Sequence, residues 1–158
     1  MKNILTVICI IFPAFLQAAE TPRSTDTETY RLYGPNHISL FIGDTHIDGE
    51  GNNNTFGMDY EYRVSDLLGL GAVYEKAYGE LDATTSLLVA DIHLNNGLIF
   101  QVGPGIERRH SENSGVGRAG MLYEFEMDRF TLSPQLHWDY HEHGKNAVVL
   151  GLALGLSF

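Results

Sequence analysis

The chain is predicted to be all-β, an eight-stranded antiparallel up-and-down transmembrane β-barrel. Three observations lead there. From Lys145 to the end, the chain alternates strictly between two kinds of residue. Val148, Leu150, Leu152, Leu154, Leu156 and Phe158 share one face; Ala147, Val149, Gly151, Ala153, Gly155 and Ser157 share the other. Period two is a strand, and an oily face backed by a bare one suits a closed sheet in lipid better than a soluble sandwich. Seven earlier segments repeat the alternation. Finally, beyond the first residues no stretch has the roughly 18 unbroken apolar residues of a spanning helix, so strands must do any crossing.

Residues 1–19 read as a signal peptide: Lys2, an apolar run from Ile4 to Leu16, then Gln17-Ala18-Ala19 as a cleavage region. Cys9, the single cysteine, leaves with that segment, which excludes disulfides and thiol chemistry. With Lys2 gone, nine basic residues face twenty acidic ones. So acidic a chain is not expected to bind nucleic acid. Residues 20–36 form a Thr-rich periplasmic lead-in closed by Gly34-Pro35, with Tyr33 near the barrel mouth. The barrel occupies 37–158.

The first strand is His37–Thr45, with Ile38, Leu40 and Ile42 on one face. A loop follows over Asp48–Asn54. The second, Thr55–Val64, puts Phe56, Met58, Tyr60 and Tyr62 opposite Gly57, Asp59, Glu61 and Arg63. Ser65-Asp66 turns into the third, Leu67–Tyr78. The fourth is Thr84–Leu94, and Asn95-Asn96-Gly97 is a hairpin signal. The fifth is Leu98–Arg109, followed by a loop over His110–Gly115. The sixth is Val116–Met127, Asp128-Arg129 turns, the seventh is Phe130–Tyr140, and the chain's end is the eighth.

Connections after strands two, four and six read as tight, and the others as longer and more polar, as between periplasmic and external sides. An even strand number puts both ends of the barrel on one side. Aromatic residues collect at strand ends: Tyr62, Phe125, Phe130 and Phe158 at one level, Tyr74, Tyr78, Trp138 and Tyr140 at the other, as at two membrane interfaces. In hydrocarbon an open sheet edge is prohibitively costly, so the sheet must close.

Inward parity selects Asp59, Glu61, Glu75, Asp91, Glu107, Glu124, Glu126 and Asp139 against Arg63, Arg109 and Arg118, with His93 and His137. Excess acids must then sit at wet mouths, share protons or bond to neutral groups. Pro104 and Pro134 lack the N–H that a ladder needs, and bulges or outward kinks are expected there.

The eight segments, the alternation of turns and loops and the terminal Leu-Gly-Leu-Ser-Phe make residues 36–158 resemble the small eight-stranded outer-membrane barrels, such as the OmpA transmembrane domain and OmpX. The resemblance implies an integral outer-membrane protein with a structural or interaction role and surface-exposed loops, with a narrow porin-like conductance as a further option. It also implies insertion by the barrel-assembly machinery, contacts with outer-membrane lipid and lipopolysaccharide, and a monomer. The chain ends with the barrel, so no cell-wall-binding domain is implied.

The residues offer one cluster with metal chemistry: His137, Asp139 and His141, with His143 beyond, all on one face. A polar lumen lining is the plainer reading, and no cofactor or catalytic residue is assigned. Asp91 and His93 could form one hydrogen-bonded pair. Asp44–Glu50 lacks full calcium-loop spacing, and Arg108-Arg109-His110 could meet lipid phosphates. Two other classes compete. A lipid A-modifying enzyme needs a serine beside His141 or His143, and the seventh strand places none beside them. A soluble lipocalin-like binder needs an apolar interior.

Overall fold

The computed structural model describes residues 32–47, 51–79, 81–94, 96–110, 112–142 and 145–158. The predicted leader and most of the lead-in lie outside these residues. Strand follows strand: β1 (Asn36–Ile47), β2 (Gly51–Arg63), β3 (Leu68–Ala77), β4 (Ala83–His93), β5 (Leu98–Arg109), β6 (Glu112–Tyr123), β7 (Phe125–Met127), β8 (Phe130–His141) and β9 (Ala147–Ser157). Each strand up to β6 pairs antiparallel with the next, β6 and β7 both pair with β8, and β9 returns to β1. β6 and β7 are two halves of one span, so the sheet is a closed eight-stranded barrel. Closure runs from His37 opposite Ser157 to Ile47 opposite Ala147.

The alternation of side chains sorts into two environments. Leu40 is 66% exposed and Leu88 69%, and Leu70, Ile106, Leu150 and Leu154 also face outward. Gln101, Arg118, His137 and Asp139 are buried inside. A lipocalin-like binder would reverse those two faces, and the structure overturns that reading. Small residues on the inner face are seats for large ones. A Cβ on Gly43 or Gly151 would collide with the Phe41 ring, one on Gly69 with Glu61, and one on Gly120 with His137.

Neither proline makes a bulge. The β4–β5 ladder runs to Leu87 opposite Gly105 and resumes at Ala90 opposite Val102 in unchanged register. The gap faces Pro104. Likewise the partner of β8 is interrupted between Leu122, opposite Gln135, and Phe125, opposite Leu132, again in register. Pro134 lies in that gap, which is why the sixth predicted strand divides into β6 and β7. A missing N–H opens the ladder without inserting a residue.

The expected long loops shorten. β2 begins at Gly51, not Thr55, and Ile47 pairs with Gly51. β6 begins at Glu112, so most of the loop placed over His110–Gly115 is strand, and Arg109 pairs with Glu112. Connections at the two ends are thus of similar length. At the end holding both barrel termini, Gly97 takes a φ of +80° that favours glycine, and the Leu94 N–H closes the hairpin onto the Leu98 carbonyl at 2.8 Å. Asn36 and Phe158 exchange backbone hydrogen bonds there (3.2 and 2.9 Å). The Tyr33 hydroxyl donates to the Asp128 carboxylate, so this part of the lead-in does reach the mouth.

Candidate functional site in the barrel lumen

The lumen is layered. At the loop end, Ile47, Ala77, Leu81, Ala83 and Ala147 form a buried apolar cluster. Leu81 enters from the β3–β4 connection, its N–H donating to Asn53 Oδ1 at 3.1 Å. Lys76 Nζ donates to Asp82 Oδ1 at 2.5 Å, steadying the connection from outside. Thr55, Leu81 and Ala83 are at most 1% exposed, so bulk water does not reach this level.

Below the cap lies an ionic strut. Arg118 donates Nη1 and Nη2 to Glu75 (2.6 and 2.7 Å) and Nε and Nη2 to Asp139 (both 2.7 Å). Its strand β6, Glu75's β3 and Asp139's β8 are thereby tied across the interior. One guanidinium planar enough for two bidentate pairs is a good match for two carboxylates. Beside it, His141 Nε2 is 3.1 Å from Glu107 Oε2, which also accepts from Thr85 at 3.4 Å.

Toward the termini end the contacts become pairwise. His93 Nε2 lies 2.7 Å from Glu61 Oε1. Ser39 donates to Asp59 at 2.7 Å, and Gln101 Nε2 to Asp91 at 2.9 Å. His37 Nε2 is 3.0 Å from Thr131 Oγ1. A polar cavity among Ser39, Asp59, Asp91, Gln101, Ser133 and Gln135 holds about 20 Å³. A second, lined by His37, Glu61, Arg63, Glu124 and Glu126 among others, adjoins the termini.

The candidate ligands therefore share a face and little else. His137 Nε2 is 3.0 Å from Gln135 Oε1, Asp139 belongs to Arg118, and His141 belongs to Glu107. His143 lies outside the described residues. Among the described residues no three His, Cys, Asp or Glu side chains converge as a metal site. Asp91 and His93 are not one pair, because alternate residues of β4 reach different neighbours: Gln101 on β5 and Glu61 on β2. Ser114 is on strand β6 opposite Glu107, and its hydroxyl bonds to the Gly115 carbonyl at 3.4 Å. Arg108 points outward and is exposed. Sequence parity found each of these lumenal acids; what it missed was the apolar cap, whose signal was Leu81 alone in a polar loop.

No protein-family model matches the chain, and no curated protein matches it either. Solved structures do. The N-terminal β-barrel domain of Pseudomonas aeruginosa OprF superposes with a TM-score of 0.53 at 16% identity, covering 77% of this chain and 97% of that one. Ail of Yersinia pestis in a phospholipid bilayer nanodisc gives 0.52 at 12% identity, covering 77% and 98%. A de novo designed transmembrane β-barrel solved in solution gives 0.53 at 14%, covering 77% and 95%.

The fold is that of a small transmembrane β-barrel. At these identities the likeness extends to architecture, and a barrel designed from first principles shares it with two natural ones. The predicted resemblance to small eight-stranded outer-membrane barrels holds at that level.

Proposed function

We propose that this chain is an integral outer-membrane barrel with a structural or interaction role, closed to steady conduction and without catalysis. One observation carries the reading: a continuous belt of exposed apolar side chains around a sealed, polar interior. From Phe56 through β2 to Val64 just beyond it, the outward face is apolar or aromatic for eight steps, about 20 Å of height at a tilt near 40°. Such a belt in water would be a large aggregation surface; in a bilayer it is the lipid contact.

The termini end faces the periplasm in this reading, since a chain delivered from that side would leave both ends there after signal cleavage at residues 1–19. Phe158 and the alternating apolar residues before it serve recognition by the assembly machinery. Arg108 and its neighbours meet lipopolysaccharide phosphates at the outer rim. The barrel acts as a monomer, because closure leaves no sheet edge for a second copy.

The test is a refolded chain lacking residues 1–19, placed in detergent and in a planar bilayer. Unheated protein should migrate differently from heated protein, and single-channel current should stay at baseline at moderate voltage. A steady conductance of the untreated barrel would overturn the closed-lumen part. Recovery of the native protein in the soluble periplasmic fraction would overturn the whole reading.

A further inference from the structure

We infer that the termini-side lumen holds a divalent, calcium-sized cation between Asp59 and Asp91. The starting point is charge. Arg118 is fully engaged by Glu75 and Asp139, and Glu61 has His93 at 2.7 Å. Asp59 and Asp91 are different. Their hydrogen-bond partners are neutral, the Ser39 hydroxyl and the Gln101 amide. Both carboxylates line one cavity, and Asp91 is 6% exposed. Carboxylates withdrawn from water are costly unless a countercharge or a proton arrives.

Carboxylates alone would not make a site. The second observation is Gln101. This residue is 3% exposed and lines the same cavity, and its Oε1 is buried with no hydrogen-bond partner. Its amide orientation is fixed by the Nε2 donation to Asp91. The unpaired atom is thus an acceptor, and a cation satisfies an acceptor. Ser39 and Ser133 add hydroxyl oxygens to the lining. Two carboxylates, a carbonyl and hydroxyls are hard oxygen donors, of the kind calcium takes in flexible arrangements. Few histidines and no thiols lie among them, which disfavours softer metals. Four carboxylates line the cavity; Glu61 is engaged by His93 and Glu124 lies 4.0 Å from His37, so the charges of Asp59 and Asp91 are the two that match a divalent ion, and about 20 Å³ accommodates a single small occupant. The route in is the acidic mouth at the termini, past His37, Glu61 and Glu124.

The test uses the refolded full barrel in detergent, with calcium chloride as the probe and a chelator as its control. Calcium is expected to raise the unfolding temperature and to bind in titration calorimetry, with magnesium weaker and sodium without effect. Asp59→Asn and Asp91→Asn should each weaken calcium binding at least tenfold and remove the chelator's effect, while Asp82→Asn in the loop changes neither. Gln101→Met, which keeps the volume, should weaken it several-fold and remains informative should an aspartate variant not fold. Calcium binding unchanged in the two Asn variants or in Gln101→Met would overturn the site. So would a wild-type barrel indifferent to calcium and chelator, whose acids are then neutralised by protons.

Discussion

At the scale of single residues, Arg118 is where the interior is most vulnerable. Its side chain is wholly buried between two carboxylates. Arg118→Met should cost about 3–5 kcal/mol, because it strands two charges without a partner. Adding Glu75→Gln and Asp139→Asn to that variant should restore most of the loss, since a neutral set no longer needs a cation. Urea unfolding in detergent would measure both steps; a triple variant no more stable than Arg118→Met would show that the strut works by shape alone. Parity in the sequence placed all three residues inside. It could not say that they meet, because which acids share a base depends on stagger between strands far apart in the chain. The same limit explains Asp91 and His93: adjacent on one inner face, they reach opposite neighbours.

Elements were legible to different degrees. Long alternating segments such as β5 and β9 were read almost to the residue, since a slip of one would turn apolar side chains inward. The loop ends were read less well. Gly- and Asn-rich stretches at 51–54 look like loop, yet the ladder carries Asn52 to Asn54 as strand because β1 pairs with them and the Tyr78 N–H donates to the Asn54 carbonyl. The prolines broke ladders as their missing N–H required, but in register. The β3–β4 connection deserves the sharpest test. Leu81→Ala should cost about 2–5 kcal/mol by emptying the cap and should let hydrogen exchange quicken at Thr55. The Lys76 contact holds Asp82 below the ordinary aspartate range. A lowered folded-state value contributes stability that is present above the unfolded value, near 3.9, and lost as pH falls through the folded one. The protection factor of the Leu81 amide, the unstructured exchange rate divided by its own at the same pH, should therefore be constant from pH 7 to pH 5 and fall only in more acidic solution, as well as in high salt.

At the scale of the whole molecule, the outward belt decides the solvent. Leu152→Arg, near the middle of β9, should cost about 2–4 kcal/mol of folding free energy in a bilayer, whereas Asp44→Arg at the rim should cost about 0–1. Equal costs at the two positions would mean that the belt does not sit in hydrocarbon. Fold class was fully legible because it rests on a period and a count. Function was less so, because lumen contacts depend on stagger and the rim on residues with no repeating pattern.

The brevity of the loop-end connections has its own consequence. A link of five residues, such as 78–82, can climb at most roughly 9 Å above its strands before it must descend. In the proposed outer-membrane orientation, sugar chains of the surrounding leaflet would overtop so low a profile. In that same orientation an antibody, a phage or a host cell would find little to grasp, and a partner would come from within the plane of the lipid or from beneath.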